Sequence, residues 1–296
     1  MIELTKENKS LFYDASGLDL QTLIDLVNRK NKNIFTLDNF IDDRELNELG
    51  VQVYRALAYD QRFDELRRNS ALFNSDRHKE LKKNGFLKIE NFLNTEEFTI
   101  IQKAATKAVE DSKKYGNCAN LPLNIDVTSS KKIQDICRLC QASELFTLKE
   151  FYFRKITHMV PGEYCEDARQ YNYHIDKFYP NYKIWFYPFD IEELQGPTGL
   201  YRGSQKHTIE KLKWHYQTSL LSREEKESGT WSRLHLNVTD HQDPAKKLGF
   251  GDEVICSAKA NTFYIIDTRC FHRRTPAEAG THRFSFRAIL DRKNVF

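Results

Sequence analysis

The sequence predicts an α+β fold that is mainly β, with helices first and a sandwich or barrel of short strands after them. Apolar residues recur at helical spacing in the first quarter of the chain, whereas short aromatic and β-branched runs dominate after about residue 148. The composition predicts a large core, because 40% of the 296 residues are hydrophobic and the chain contains 20 Phe and 14 Tyr. Such a composition excludes an intrinsically disordered chain.

The N-terminal part has a helical pattern. Apolar residues lie three and four positions apart over residues 20–27 and again over 42–58, and each segment predicts a helix. Seven Pro and 12 Gly form no linker-like stretch in this chain. We therefore interpret residues 1–75 as a helical N-terminal extension and residues 76–296 as one β-rich domain.

Three local signals follow directly after the extension. Asn84-Gly85 is a helix stop, because glycine adopts the left-handed conformation that ends many helices. Residues 86–89 then alternate as a strand does. Asn94 and Glu97 have the spacing of a capping box and predict the start of the next helix.

An amphipathic helix is predicted over residues 131–147, and the β-rich part follows it. Short aromatic and β-branched runs predict strands at 150–157, 171–175, 182–189, 253–256, 262–267 and 283–290. Turn-forming pairs such as Pro161-Gly162 and Gly251-Asp252 separate these runs. Many short strands at this spacing favour a sandwich or a barrel.

Charge and hydropathy exclude several classes of function. The net charge is only +3, from 45 Lys and Arg against 42 Asp and Glu, so we expect no nucleic-acid partner. No apolar run approaches the roughly 18 residues that a membrane span needs. The N-terminus has no secretory pattern, and the six Cys are scattered, so we expect reduced thiols and a cytoplasmic protein.

The pair His174-x-Asp176 is the candidate metal site. Residues i and i+2 of a strand lie on one face, so its imidazole and carboxylate are expected close together. Iron(II) in many oxygenases is held by two His and one carboxylate. The pair His241-x-Asp243 has the same spacing but lies in a polar stretch. We favour the first pair, because a strand is the more rigid platform.

A third ligand must come from a distant part of the chain. His272 follows the apolar run 263–267, and Arg283 lies eleven positions after it at the start of the last predicted strand. A guanidinium at that place is suited to bind a carboxylate. His282 is the competing third ligand, but the residue eleven positions after it, Lys293, lies outside any strand pattern.

The order His-x-Asp, His, then Arg eleven residues later resembles the iron(II)/2-oxoglutarate dioxygenases, and more specifically their phytanoyl-CoA dioxygenase-like branch. The resemblance covers roughly residues 80–290. Further segments that resemble motifs of this branch are 83–87, 91–93, 195–198, 203–206, 251–252, 261–264 and 271–272.

The resemblance implies a double-stranded β-helix, a jelly-roll or cupin-like barrel, over residues 76–296. It also implies Fe(2+) as cofactor, 2-oxoglutarate as co-substrate and O2 as oxidant, with release of succinate and CO2. The metal ligands would be His174, Asp176 and His272, and the far carboxylate of 2-oxoglutarate would bind Arg283. Two further residues are expected beside the co-substrate by the same analogy: Trp185 and Thr275.

The expected reaction is oxidation of a C–H bond of a small molecule by hydroxylation, desaturation or oxidative cyclisation. Asp176 favours these outcomes over halogenation, because related halogenases have Gly or Ala at that position. Basic residues near the proposed mouth suggest an anionic substrate: Lys177, Arg202, Lys206, Arg269, Arg273 and Arg274. Among them we expect substrate contacts from Lys177, Arg202 and Arg274.

Two other classes of function stay open at this point. One is a cupin-like metal-dependent isomerase or epimerase, and the other is a non-catalytic barrel that binds a ligand. Cys137-x-x-Cys140 has no second pair at zinc-ribbon spacing, so we interpret both residues as core cysteines. Residues 205–250 predict a long insertion between strands, either an active-site lid or a surface decoration.

Overall fold

The computed structural model describes residues 2–35, 41–68, 75–122, 131–132, 146–157, 168–171, 173–221 and 248–292. Its α-helices are α1 (Lys6–Ser16), α2 (Leu20–Lys30), α3 (Arg44–Glu48), α4 (Val51–Arg68), α5 (Asp76–Asn84), α6 (Thr95–Glu110) and α7 (Ile209–Ser219). Its strands are β1 (Phe86–Ile89), β2 (Cys118–Leu121), β3 (Phe146–Thr157), β4 (Tyr182–Tyr187), β5 (Thr198–Tyr201), β6 (Glu253–Ile255), β7 (Thr262–Asp267), β8 (His272–Arg274) and β9 (His282–Arg292).

The strands form two antiparallel sheets. The larger sheet has the order β1-β7-β4-β9-β3-β2, and the smaller sheet has the order β6-β5-β8. A two-residue bridge between His174 and His272 continues the smaller sheet beyond β8. Inward side chains of both sheets, among them Trp185 and Leu200, share one apolar cluster. The predicted fold is confirmed: a mainly β, double-stranded β-helix with flanking helices.

Strand β4 contributes side chains to two hydrophobic clusters, one on each face of the larger sheet. Its residues alternate, so Ile184 and Phe186 join the core beneath the helices, whereas Trp185 and Tyr187 point into the barrel. Phe98 of α6 packs edge-on against Phe186, with ring centroids 6.4 Å apart. The sheet is therefore buried on both faces, which explains why β4 is a continuous apolar and aromatic run.

The helix predicted over 20–27 is confirmed as α2, which begins at its N-cap Asp19. The single helix expected over 42–58 is wrong, because the chain breaks there into α3 and α4. Gly50 stands between them with φ of 80°, a conformation that interrupts a helix and strains any residue with a Cβ. A Cβ at Gly50 would also press on the ring of Phe12.

The segment that follows residue 76 agrees with its sequence signals. Helix α5 ends at Asn84, and Gly85 caps it in the left-handed conformation. Strand β1 has the predicted bounds, 86–89. Asn94 accepts a hydrogen bond from the Glu97 backbone, and the Glu97 side chain accepts one from the Asn94 backbone, which completes the capping box.

Other expectations need correction. The strand predicted over 171–175 is wrong, because a 3₁₀ turn covers Ala168–Tyr171 and only His174 then forms a bridge. Strands β2, β5 and β8 were not predicted, since three or four residues are too few for a periodic signal. The helix predicted over 131–147 is wrong at its end, because residues 146 and 147 belong to strand β3; residues 133–145, with both cysteines, lie outside the described residues. The same holds for His241-x-Asp243.

Helices and barrel share one hydrophobic core, which includes Leu4 near the N-terminus and Leu290 of β9. The helices α1 and α4 pack against α7, which is the described part of the predicted insertion. The boundary between residues 75 and 76 stays a prediction. Within the described parts of the chain, none of the helices has the length and apolar character that a bilayer crossing requires.

Candidate metal centre

Three side chains converge inside the barrel: His174, Asp176 and His272, whose potential ligand atoms lie within 4.8 Å of one another. His174 Nε2 is 3.8 Å from Asp176 Oδ1, and His272 Nε2 is 3.6 Å from Asp176 Oδ2. The two imidazole centroids are 4.4 Å apart. Both imidazoles are buried, whereas the carboxylate keeps 14% of its side-chain surface exposed. The sequence-predicted ligands are thus close together in space.

Backbone hydrogen bonds bring these side chains together. His174 and His272 exchange backbone hydrogen bonds of 3.0 and 2.9 Å, so the two imidazoles come from directly paired residues. The Asp176 amide donates to the Thr268 carbonyl at 3.0 Å. Residues 268–271 connect β7 to β8 and are called the β7–β8 loop below. This loop therefore holds the backbone of Asp176 and also leads directly into His272.

A second contact of the same loop orients His272. Its Nδ1 lies 2.8 Å from the carbonyl oxygen of Cys270, and a carbonyl can only accept. The ring proton therefore stays on Nδ1, and the lone pair of Nε2 points toward Asp176. This arrangement is typical of histidines that bind metals.

Asp176 is held in its ionised form. Burial raises the pKa of this carboxyl, but the Lys183 ammonium and the two histidines outweigh that effect and leave it well below its usual range. Lys183 makes a short ion pair with Asp176. Two neutral imidazole nitrogens and one carboxylate are the donor set of a facial iron(II) site. The donor chemistry of this structure therefore fits a divalent transition metal, and the three residues would hold it.

Arg283 lies in the barrel at the beginning of β9 and is 6% exposed. Its Nη1 donates a short hydrogen bond to the carbonyl of Gly196, and its Nε has no hydrogen-bond partner among the described residues. Burial and the neighbouring charge of Arg287 lower the pKa of Arg283. A buried guanidinium with a free donor can receive a carboxylate.

Further arginines make the barrel interior strongly basic. Arg274 lies two residues after His272 on β8, so both point into the barrel. Burial, followed by the charges of Arg283, Arg287 and Arg154, lowers the pKa of Arg274 to about 9. The neighbouring positive charges contribute to this shift after burial, so an anion between these arginines would be favoured.

Trp185 faces the barrel interior beside these arginines. It is paired with Arg287 of β9 and Tyr264 of β7, and the guanidinium of Arg287 lies 5.9 Å from the Trp185 ring centroid. The indole is nearly buried. This placement is compatible with the predicted position beside a co-substrate.

Thr275 lies on the opposite side of the small sheet. Its hydroxyl donates to the Pro197 carbonyl at 2.9 Å. A Cβ added at Gly199 would touch the Thr275 methyl group and the Glu253 carboxylate together, which places both on the outer face. The structure therefore does not bring the Thr275 hydroxyl to the three candidate ligands, and its contact with a co-substrate stays a prediction.

The basic residues expected around the mouth do not form one rim. Arg269 is paired with Asp267 and Asp60, and Arg273 is paired with Glu253 at 2.7 Å, so carboxylates neutralise both. Arg202 is exposed and stacks on Phe86, with 5.6 Å from its guanidinium carbon to the ring centroid. Lys177 lies 5.8 Å from the ring of Tyr179. Of the six, Arg274 is the residue placed beside the interior arginines.

The competing ligand His282 lies elsewhere, with its Nδ1 3.0 Å from the Thr157 hydroxyl. Two interior cations escaped the sequence analysis, Lys183 and Arg287. Strand alternation is the signal for both: Lys183 shares the face of Trp185, and Arg287 shares the face of Arg283.

Comparison with solved structures finds similar folds at low identity. The nonhaem α-ketoglutarate-dependent epimerase SnoN from nogalamycin biosynthesis has 11% identity and a TM-score of 0.43, over 77% of this chain and 81% of SnoN. EctD from S. alaskensis, solved with iron, has 12% identity and a TM-score of 0.44, over 75% and 78%. HygX from Streptomyces hygroscopicus, solved with nickel and 2-oxoglutarate, has 14% identity and a TM-score of 0.40, over 74% and 86%.

No family model matches the sequence. No curated protein is similar to it at a significant level. The function is therefore inferred from the side chains inside the barrel.

Proposed function

We propose that this protein is an Fe(II)/2-oxoglutarate-dependent oxygenase, similar to the phytanoyl-CoA dioxygenase-like branch, that oxidises a C–H bond of a small anionic molecule. One observation carries the proposal: two imidazoles and a carboxylate meet within 4.8 Å in the same barrel interior as a buried guanidinium. The first group suits iron(II), and the second suits the far carboxylate of a dicarboxylic co-substrate.

Iron(II) held by His174, Asp176 and His272 would supply the oxidising chemistry, in which O2 places one oxygen atom in succinate and the other in a hydroxylated product or in water. The chain's own residues prepare the site. The Cys270 carbonyl retains the Nδ1 proton of His272, so Nε2 stays available as a ligand. Lys183 keeps Asp176 ionised.

The interior arginines would bind and orient the co-substrate. Arg283 is held by the Gly196 carbonyl and has its Nε left to donate, so a carboxylate would complete its hydrogen bonds. Aromatic and aliphatic side chains line the rest of this space, among them Trp185, Leu200 and Tyr264. They would exclude bulk water from a reactive centre.

The test adds iron(II) and 2-oxoglutarate to the purified protein without O2 and then admits air. We expect a weak visible absorption band from the iron chelate and then slow formation of succinate. Single substitutions His174→Ala, Asp176→Ala and His272→Ala should each abolish the band and the succinate. His241→Ala is the matched control and should retain both, because it removes the histidine of the competing pair.

Other outcomes would identify the two other functions. A wild-type protein that gives neither band nor succinate contradicts the proposal. Turnover of a substrate without O2 and 2-oxoglutarate, unaffected by Arg283→Ala, would indicate a metal-dependent isomerase or epimerase. Ligand binding that survives His174→Ala unchanged would indicate a non-catalytic barrel.

A further inference from the structure

The inward face of β9 carries two arginines at different depths, Arg283 and Arg287. They are four residues apart on one strand, so both point the same way and their Cα atoms are about 13 Å apart. The residues between them on the outer face, Phe284 and Phe286, pack toward the helical core. The two guanidiniums are therefore separate donors along one wall of the barrel.

Arg287 has no counter-charge among the described residues. Its Nε makes no hydrogen bond, and no carboxylate of the described chain lies within ion-pair distance of it. Its contact is with the face of Trp185. Arg269 and Arg273, by contrast, each hold a carboxylate. Arg287 is half-buried and its Nε is fully buried without a hydrogen bond, so the position is suited to an incoming anion.

Strand register places Arg287 closer to the candidate ligands than Arg283. Lys183 of β4 contacts Asp176, and it is paired with Ile289 of β9. Two residues further along each strand, and on the same inward faces, Trp185 is paired with Arg287. Arg283 lies four residues beyond Arg287 on β9, where it is paired with Ile156 of β3. With increasing distance from the metal centre along the barrel wall, the order is therefore Lys183, Arg287 and then Arg283.

The positive charges of these residues favour a second anion beside the co-substrate. One end of 2-oxoglutarate would bind the metal, which leaves one carboxylate for two unpaired guanidiniums. That carboxylate neutralises one of them, and the other keeps an unmatched positive charge. Resting on the proposed function, we propose that Arg283 binds the co-substrate and that Arg287 binds an oxyanion group of the primary substrate, a carboxylate, a sulfonate or a phosphate. The substrate is then anionic close to the carbon that reacts.

The experiment uses the nickel-loaded full chain, because nickel occupies such sites without supporting turnover. Calorimetry first measures 2-oxoglutarate binding. The protein is then saturated with 2-oxoglutarate and titrated with acetate, methanesulfonate or inorganic phosphate into the millimolar range at constant ionic strength. We expect one of these anions to bind without displacing 2-oxoglutarate, and its identity reports the class of the substrate group.

Two substitutions separate the arginines. Arg287→Gln should weaken anion binding about tenfold or more and change 2-oxoglutarate affinity less than about threefold. Arg283→Gln should weaken 2-oxoglutarate binding about tenfold or more. Arg77→Gln, which removes the same charge from an exposed position on α5, should change neither. Arg287→Lys should restore part of the anion binding, which excludes a general folding defect.

Each contrary result has a distinct meaning. Wild-type protein that binds 2-oxoglutarate but none of the three anions overturns the role of Arg287 and leaves the proposed function intact. Loss of 2-oxoglutarate binding in Arg287→Gln but not in Arg283→Gln overturns it too, because Arg287 would then hold the co-substrate. Wild-type protein that binds no 2-oxoglutarate overturns the proposed function and this inference together.

Discussion

Lys211 connects the helical layer to the β7–β8 loop, and its burial predicts a measurable pH dependence of stability. It lies on α7, is fully buried, and donates hydrogen bonds to the carbonyls of Ser204 and Arg269, the latter at 2.8 Å. Arg269 belongs to the β7–β8 loop, which also contacts Asp176 and His272 through its carbonyls. Burial lowers the pKa of Lys211 to about 7, and the neighbouring Arg269 acts in the same direction.

The sign of the pH effect follows from that pKa. In the unfolded chain this lysine stays protonated up to its ordinary pKa of 10.5, whereas in the folded chain it releases the proton near pH 7. Between these limits the unfolded state binds more protons, so the free energy of unfolding rises with pH. Integration from pH 7 to pH 9 gives about 2 kcal/mol of added stability from Lys211.

The assay is urea unfolding of the wild type and Lys211→Met at pH 7 and pH 9. The wild type should gain about 2 kcal/mol more than the variant over this interval, since other titrating groups are common to both and cancel. Lys213→Met is the matched control on the exposed side of the same helix and should follow the wild type. Parallel pH dependence in the wild type and Lys211→Met would refute the low pKa of this lysine.

Three further predictions concern stability and metal binding. Burial, with His207 and Lys211 nearby, holds the pKa of His215 well below 6.5, so the folded protein loses about 1 kcal/mol of stability from this group between about pH 6.5 and 5.5. Chemical unfolding of His215→Phe should lack that loss. Gly85→Ala should destabilise by about 1–3 kcal/mol in the same measurement, because φ is 79° and the added Cβ would overlap the Cys270 sulfur. Nickel at about a hundredfold excess over its Kd should stabilise the wild type by about 2.7 kcal/mol, and this gain, measured as a rise in Tm that a chelator reverses, should be absent in Asp176→Asn. An equal rise in Tm for wild type and Asp176→Asn would place the metal elsewhere.

Local signals allowed part of the fold to be predicted. The end of α5 at Gly85, the bounds of β1 and the capping box at Asn94 depend on neighbouring residues only, so the sequence contains the whole interaction. The long strand β4 was also predictable, because a sheet buried on both faces needs a continuous apolar run. These elements frame the site without containing its ligands.

Elements that depend on distant residues escaped prediction. Strand β8 has three residues, and it exists because it pairs with β5, more than seventy positions earlier in the chain. His174 lies in an irregular segment that becomes sheet-like only where it meets His272. Whether a charged side chain has a counter-ion also depends on distant residues. Arg269 looks like a free cation in the sequence, and its pairing with Asp60 of α4 depends on the tertiary fold.

The β7–β8 loop connects the metal centre to the helical layer. Its Thr268 carbonyl accepts a hydrogen bond from the Asp176 amide, and its Cys270 carbonyl accepts one from His272. Its Arg269 carbonyl accepts a hydrogen bond from Lys211 of α7. A change in α7 therefore reaches His272 through one hydrogen-bonded residue and the peptide that follows it. Because a misplacement of about 1 Å at a catalytic group is enough to reduce activity severely, the helix α7 is part of what positions the metal ligands.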